Sequence, residues 1–363
     1  MALIRDYFEK TRYYKQLYGE KTVLFMQVGA FYEVYALLNP DGTYTGSEIA
    51  EVSRICDLAI ANKSGNDIEG KPVKMSGFQT YLIDKFSKKL LDAGYTIPVI
   101  NQDQQAANST RSLFCVLSPG TSFSTDNEVI TNNTSCVWLS KLTQFGKDKI
   151  VIGAANVDII TGTTSIFEYQ TEYLNSPSTF DSLEKFISVY NPNEVIIISN
   201  LDSDYIDNAI SYTDIASKSI HRIDIDEASE EIKKIIHNCE LQIYQTEILE
   251  KFYISSKKDH TLEAFWHFPI ACQSFCYLLD FIEKHNPNLI KNIDVPHFEN
   301  FSNRLTLANH TLQQLNIIGD GTVKGKNSSV LSLLNNCITN MGKRRFAYNL
   351  MNPTDNISLL EQE

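Results

Sequence analysis

The chain has 363 residues, too many for one ordinary hydrophobic core, so two or three domains are expected. Hydrophobic residues make up 43% and charged residues 21%, a balance that excludes a disordered chain and is typical of a globular protein. The net charge of -12 argues against a nucleic-acid partner, but residues 1–120 hold 13 basic and 13 acidic residues, whereas residues 121–363 hold 19 and 31. Any surface that meets an anionic polymer is therefore expected in the first third.

Nothing in the sequence predicts secretion or a membrane span. No apolar run approaches the roughly 18 residues that a spanning helix needs, and the first residues carry charges where a signal peptide has its apolar segment. The seven cysteines are scattered, which favours buried reduced thiols. We expect an intracellular protein without membrane contact, but the sequence does not distinguish nucleus, mitochondrion, bacterial cytoplasm or viral replication site.

The first 120 residues are predicted as a mixed α/β segment. A helix with aromatic residues at three- and four-residue spacing ends at Gly19, and Gly29 turns or bulges a strand into a second strand, "FYEVYALL". A helix is expected over about residues 47–61, a Pro/Gly loop over "EGKPVKMSGF", and a longer helix up to Gly94. Two further strands, "YTIPVINQ" and "SLFCVLSPG", complete the segment.

The rest of the chain is predicted in two parts. After a polar linker at 121–133, residues 134–255 read as an α/β domain with a three-stranded meander, the helix "DSLEKFISVY" and the fully apolar, buried strand "EVIIIS". From 256 to 363 the strand signals fade, and we expect an all-α segment.

Phe31 and Glu33 are the most informative pair of residues. Side chains alternate along a strand, so these two share one face while Tyr32 points to the other. In an arbitrary sequence the favoured interpretation is an edge strand with a core phenylalanine and a solvated glutamate. The functional alternative is an aromatic wedge that enters a stack of bases, beside a hydrogen-bonding group that tests the displaced base.

Other candidate sites favour ordinary structural roles. The stretch "GDGTVKGKNSS" fails the phosphate-loop pattern, because Asp320 and Asn327 occupy positions that require glycine and Ser or Thr. His267, Cys272 and Cys276 lie among aromatic residues, which favours core packing over a metal site. The basic cluster at 343–345 is predicted to be a solvated helix face, and 202–207 a helix-initiating turn.

Several blocks, taken in order, resemble the MutS family of DNA mismatch repair proteins. The stretch "VLFMQVGAFYEVY" resembles the family's mismatch-recognition motif, and "KPVKMSGF" its Pro-Met-Ala-Gly loop. Further resemblances are "VLSPGT", "NPNEVIII", "LTLANHTLQQLNI" and the block from Leu333 to the last residue. An insertion-like "NPDGTYTG" and an Asn- and Ile-rich composition suggest a divergent viral or organellar branch.

The resemblance implies an α/β multidomain architecture. It assigns a mixed α/β mismatch-recognition domain to 1–120, an RNase H-like connector to 134–255, and the start of the helical core and lever to 256–363. It implies that Phe31, Glu33, Lys71 and Met75 contact mismatched double-stranded DNA or small loops, and that no residue here is catalytic or binds a metal. It also implies that ATP and Mg²⁺ bind only in an ATPase domain absent from these residues. The full-length protein is expected to form a dimer and to contact a downstream repair factor through the connector.

The sequence departs from the family's pattern beside the wedge. Ala30 stands where the family usually has Asp, and Gln79 and Tyr81 replace its proline and histidine, which puts backbone contacts there in doubt. An ionised Glu33 can accept a hydrogen bond from a pyrimidine N–H, whereas bonding to a purine N7 requires the protonated acid, which burial and the field of DNA both favour. We expect Glu33→Gln to bind mismatches at least as well as Glu33, with poorer discrimination against paired DNA.

Two alternatives stay open at this stage. One is a non-catalytic protein-interaction module that retains the fold without binding mismatches, which the acidic second part would suit. The other, a nuclease built on the RNase H-like domain, is disfavoured because residues 134–250 show no evident pair of carboxylates for a metal.

Overall fold

A computed structural model describes residues 2–68, 70–102, 110–122, 131–215, 217–253, 265–299, 309–318, 325–351, 353–354 and 357–361. The chain divides into two compact units. The first comprises Met1–Ser122 with Ser229–Ile232 and Phe281–Asn288, and the second comprises Phe123–Ala228, Lys233–Asp280 and Leu289–Glu363. The predicted linker at 121–133 lies mostly outside the described residues, which omit 123–130.

The first unit is a mixed sheet with helices. Its elements in chain order are α1 Ala2–Tyr18, β1 Phe25–Val28, β2 Phe31–Leu38, β3 Tyr44–Thr45, α2 Ile49–Cys56, β4 Ala61–Ile68, β5 Lys71–Gln79, a 3-10 turn Thr80–Leu82, α3 Ile83–Asp92, β6 Ile97–Gln102 and β7 Arg111–Leu117. The sheet order is β4-β5-β2-β1-β6-β7, with β3 paired to the end of β2. Among the described strands of this sheet, β1 and β6 are the parallel pair. Strand β2 lies between β1 and β5, so it is an interior strand and not an edge strand.

Helices cover both faces of this sheet. Tyr7 of α1 meets Tyr35 edge-to-face at 5.1 Å on one face, and Phe86 of α3 lies 4.6 Å from Phe78 on the other. The predicted helix ends are confirmed at Gly19 and Gly94, where positive φ angles of 89° and 82° suit glycine.

Two predictions for the first unit are wrong. The helix expected over 47–61 ends at Cys56, where Asp57 takes a left-handed conformation, and the chain continues as β4. The expected loop "EGKPVKMSGF" is largely the nine-residue strand β5, next to β2. Pro72 is tolerated near its start because it is exposed and stands close to the β4–β5 turn.

The second unit contains the predicted α/β pattern. Its first elements are β8 Asn133–Gln144, β9 Lys147–Asp158, β10 Thr164–Glu172, α4 Pro177–Tyr190, β11 Glu194–Ser199, α5 Ser203–Tyr212, β12 Ser219–Asp224, α6 Glu230–Glu240 and α7 Gln242–Tyr253. The meander is confirmed as β8-β9-β10, and every residue of β11 is buried. A helix begins after Asp202, as the sequence predicts.

The prediction of an all-α segment after residue 255 is not confirmed. Helices α8 Pro269–His285, α9 Asn309–Gln314, α10 Val330–Leu334, α11 Asn340–Met351 and α12 Ile357–Leu360 lie in it. The short strand β13 His297–Phe298 also lies there and pairs with β10, giving the sheet order β12-β11-β8-β9-β10-β13. None of the helices in the described ranges combines the length and apolar character that a membrane-spanning helix requires.

Candidate functional site

Phe31 is an exposed aromatic residue in the interior of a sheet. It begins β2 directly after a two-residue turn, pairs with Val28 on one side and Gln79 on the other, and keeps 43% of its surface exposed. Gly29, at the first turn position, has a φ of 60°, which is typical of a type II′ hairpin turn. The backbone that carries the ring is therefore held by neighbouring strands on both sides.

Hydrogen bonds fasten the hairpin turn from two directions. On one side, the Gly29 N–H donates to Gln102 Oε1 at 3.1 Å, and the Gln102 N–H donates to Gln27 Oε1 at 2.9 Å. On the other side, the Thr80 N–H donates to the carbonyl of Ala30 at 2.9 Å. Ala30 takes part in these contacts through its backbone carbonyl, so the turn is held without a hydrogen bond from the side chain at position 30.

Glu33 shares its strand face with Phe31, as alternation predicts, but only 8% of it is exposed. Lys63 of β4 reaches the carboxylate, with Nζ 2.8 Å from Oε2, and the Tyr35 hydroxyl donates to the same oxygen. Burying a carboxylate without a partner is costly, and these two donors offset that cost. Glu33 is accordingly an anchored group and not the solvated glutamate of the edge-strand interpretation.

Gly77 and Tyr35 shape the pocket around this carboxylate. Gly77 pairs with Glu33, and a Cβ on it would lie 2.8 Å from the carbonyl oxygen of Tyr32 and 3.4 Å from Glu33 Cγ. Burial, followed by the hydrogen bond to Glu33 and its charge, raises the pKa of Tyr35 far above its ordinary value. The hydroxyl therefore stays protonated and acts as a donor to Glu33.

The four predicted site residues do not all come together. Met75 pairs with Tyr35, and its Sδ lies 3.4 Å from Lys63 Nζ, so it joins Phe31 and Glu33 on one face. Lys71 starts β5, eight residues before Gln79, the partner of Phe31. At roughly 3.3 Å per residue it is about 26 Å from the hairpin turn along the strand.

Two cations of this unit, Lys63 and Arg111, were not predicted as site residues from the sequence. Lys63 lies in the missed strand β4, and its ammonium also stands 5.6 Å from the centre of the Tyr35 ring. Arg111 begins β7, and its Nε donates to the carbonyl of Gln27 at 3.0 Å. Long-range strand pairing brings Lys63 to Glu33, and no local pattern in the sequence indicates this contact.

The remaining candidates stay apart from this site. Within the described residues, no three His, Cys, Asp or Glu side chains are grouped to hold a metal ion. Cys272 and Cys276 are buried in the core, as predicted, but His267 is exposed. Residues 319–324 of the rejected phosphate loop lie outside the described ranges, and the basic cluster at 343–345 is in α11.

Comparison with known proteins places these observations in a family. Residues 9–126 match the family model of MutS domain I. Over 96% of its length, the chain is 28% identical to a DNA mismatch repair protein mutS homolog of Acanthamoeba polyphaga mimivirus, covering 32% of that protein. Over 98% of its length it is 24% identical to the DNA mismatch repair protein MutS of Borreliella burgdorferi, covering 36% of it. The chain thus spans about a third of the length of these relatives, and the matches support its similarity to the N-terminal part of MutS-family proteins, with residues 9–126 similar to domain I.

Proposed function

We propose that the first unit binds double-stranded DNA at mispaired or unpaired bases, as part of DNA mismatch repair, with Phe31 as a wedge that enters the base stack. The observation that carries the proposal is the exposed ring of Phe31 on a hairpin turn tied to Gln102 on one side and Thr80 on the other. An aromatic ring held in this way loses little conformational freedom when it binds, so more of the contact energy is available for affinity.

The energetic basis of the selectivity is the stability of the base stack. Opening a base step for an inserted side chain costs a few kcal/mol, and the cost is smallest where pairing is already defective. Stacking of a base on an aromatic ring returns about 1 to 3 kcal/mol. The wedge therefore discriminates by how easily the duplex deforms, which requires no reading of a base sequence.

The charges around Phe31 suit a polyanionic partner. Lys63 offsets the negative charge of Glu33, which alone would repel phosphate groups, and Arg111 adds a second cation to the same sheet. Glu33 Oε2 is occupied by its two donors, and no described residue donates to Oε1. We assign Oε1 to the displaced base, and Met75 to contact close to it.

Other parts of the proposal concern the longer relatives. Relatives named as DNA mismatch repair proteins are about three times as long as this chain. We assign ATP and Mg²⁺ to an ATPase domain outside the 363 residues, and we extend the proposal to a dimer that contacts a downstream repair factor through residues 134–255.

Lys71, at the far end of β5, is assigned to the DNA backbone if the duplex extends along that strand.

Replacing Phe31 tests the wedge. The Phe31→Ala variant should lose the preference for a duplex with one unpaired base over the matched duplex, a change of about five- to a hundredfold for 1 to 3 kcal/mol of stacking. Weak binding to matched duplex should remain, because phosphate contacts do not need the ring. Affinities for both duplexes are measured by fluorescence anisotropy at one fixed salt concentration.

Phe145→Ala is the matched control. Phe145 is a 97% exposed phenylalanine, also at a hairpin turn, but it belongs to the second unit. Its replacement should leave the preference unchanged. If wild type shows no preference, the interaction-module alternative is favoured; if Phe31→Ala keeps the preference, Phe31 is not the wedge.

A further inference from the structure

A cavity of about 650 Å³ lies in the first unit, away from the wedge. Helix α1 forms one side of it, and the ends of β2 and β4 with the residue after β3 form the other. Leu37, its lining residue on β2, comes six positions after Phe31, which is about 20 Å along the strand. The cavity is therefore distinct from the proposed mismatch site, and its volume lies within the range of small-molecule pockets, roughly 300 to 1,000 Å³.

Helix α1 has two different faces. Its buried face follows the three- and four-residue spacing of a helix that packs on a core, with Ile4, Tyr7, Thr11 and Tyr14. The face next to it repeats the same spacing and lines the cavity with Arg5, Phe8, Glu9, Arg12, Lys15 and Gln16. One side of α1 thus holds the helix on the sheet, while the adjacent side supplies charged groups to the cavity.

Two of the three cations that line the cavity are left without a protein partner. Lys15 is paired, with its Nζ 2.6 Å from Glu48 Oε1. Within the described ranges, Arg5 and Arg12 form no ion pair, although Glu9 stands four positions after the first and three before the second, a spacing at which helix ion pairs form. Two guanidinium groups on one wall therefore keep their donors for a ligand, and the guanidinium fork matches the geometry of a phosphate group.

The remaining walls are partly apolar and partly acidic. Apolar surface comes from Phe8, Leu37 and Ile68. The ring of Phe8 packs closely on Gly46, where a Cβ would lie 2.6 Å from the ring. The carboxylates of Glu9 and Glu20 would oppose an inorganic anion, but they can accept hydrogen bonds from a ligand that also carries hydroxyl or amino groups.

We propose that this cavity binds a nucleotide, whose phosphate groups are held by Arg5 and Arg12. The base packs against Phe8, and Glu9 or Glu20 accepts a hydrogen bond from a ribose hydroxyl or a base amino group. A nucleotide combines the three properties that the cavity requires, namely an anionic group, a flat apolar ring and hydrogen-bond donors. A free nucleotide and the end of a DNA strand offer the same phosphate and base, so the experiment has to separate these two sources.

Calorimetric titration of the full chain with ADP, in the absence of Mg²⁺, tests the proposal. Adenosine lacks the phosphate groups and inorganic phosphate lacks the base, so each should bind at least about tenfold more weakly than ADP. A short single strand with a 5′ phosphate represents the second source. Binding of ADP assigns the cavity to a free nucleotide, whereas binding of the strand without binding of ADP assigns it to a strand end.

Arginine variants show whether the bound phosphate lies in this cavity. Arg5→Met and Arg12→Met should each weaken the binding of ADP, or of the strand, by about three- to tenfold, because a charged hydrogen bond is lost. The affinity for adenosine should not change. Arg54→Met is the matched control: Arg54 is also an exposed helical arginine, but it pairs with Glu51 and does not line the cavity. Its replacement should leave the affinity at the value of wild type.

A variant of the apolar wall tests the position of the base. Phe8→Leu keeps an apolar side chain and removes the ring, so it should weaken the binding of ADP about threefold or more and leave the binding of inorganic phosphate unchanged. Equal weakening of both probes would place the base elsewhere and overturn this part of the proposal.

The other outcomes are equally distinct. If the double variant Arg5→Met with Arg12→Met binds ADP or the strand as tightly as wild type, the proposal is wrong. Equal weakening by Arg54→Met would show attraction by overall charge, and failure of both probes to bind wild type would show that there is no nucleotide site. None of these results bears on the wedge, because that test measures the duplex preference of Phe31→Ala.

Discussion

At the scale of single residues, glycine at position 77 is required by the backbone of the neighbouring strand β2. A Cβ there would lie 2.8 Å from the backbone oxygen of Tyr32, closer than real Cβ contacts, and 3.4 Å from Glu33 Cγ. Two backbone segments of neighbouring strands would have to separate to admit it. Because Tyr32 and Glu33 carry the pairing of β2, such a shift would also move Phe31.

We expect Gly77→Ala to lower the free energy of unfolding by about 1 to 3 kcal/mol, the usual cost of overpacking. Gly29→Ala is the contrasting variant, because open space surrounds that position and only its φ of 60° opposes a side chain. It should cost about 1 kcal/mol. Urea unfolding of the first unit measures both, and a Gly77→Ala variant as stable as wild type would contradict the packing argument.

The sequence revealed part of this site for a clear physical reason. Strand alternation depends only on local geometry, so it correctly put Phe31 and Glu33 on one face. Alternation does not predict how deeply each side chain is buried. Helix α1 packs on that face at Tyr35, near Glu33, while Phe31 stays 43% exposed. Lys63 is 30 positions away from Glu33, and no local pattern announces such a pair.

At the scale of elements, β4 and β5 show where local signals fail. Gly70, Pro72 and Gly77 are turn formers in isolation, and they led to a loop prediction where the structure has strand β5. The irregular register between Asn62 and Asp67 lets β4 pair with β5 despite this composition. A strand that is stabilised mainly by pairing with its neighbours, as β5 is by β2, has only a weak signal in its own sequence.

The N-terminus of α8 in the second unit receives a carboxylate from the neighbouring sheet. Glu168 Oε2 accepts the N–H groups of Ile270 and Ala271 at 2.7 and 2.8 Å. Gly153 permits this close approach, since a Cβ there would lie 2.3 Å from the Ile270 backbone. Burial raises the pKa of Glu168, and the two N–H groups oppose the rise without cancelling it.

This arrangement predicts a pH dependence of stability. Since the folded state binds the proton of Glu168 more tightly than the unfolded chain does, its contribution to stability is full below the ordinary glutamate pKa. The contribution decreases as the pH rises through the raised pKa. We expect the difference in unfolding free energy between wild type and Glu168→Gln to change in this sense between about pH 4 and 7.

Urea titrations at several pH values measure the difference. Glu172→Gln, on an exposed residue of the same strand, is the control and should give a much smaller pH dependence. A difference between wild type and Glu168→Gln that does not vary with pH would contradict the assignment.

At the scale of the whole molecule, the distribution of charge limits the electrostatic attraction in the proposed binding of DNA. Residues 1–120 carry no net charge and the remainder carries all of the -12, so long-range attraction to phosphate is weak. Of the cations described in this sheet, Lys63 contacts Glu33, and Arg111 contacts the carbonyl of Gln27. We therefore expect the logarithm of the affinity to fall with the logarithm of salt concentration with a slope of only about -1 to -3.

The slope is obtained from titrations of matched duplex between about 50 and 200 mM salt. Arg111→Met should make it shallower by about 1, if this guanidinium neutralises one phosphate. A slope steeper than about -6 would show that many more cations engage the backbone than the described face provides.

The tethered hairpin has one more consequence. A flexible hairpin would change conformation on contact with a duplex, whereas a rigid hairpin makes the duplex change conformation instead. Because hydrogen bonds hold both Gly29 and Ala30, the proposed binding requires the duplex to deform more than the hairpin does. The affinities for duplexes with different defects should then follow the ease with which each duplex bends. Chemically different lesions that weaken the duplex equally should bind with similar affinity.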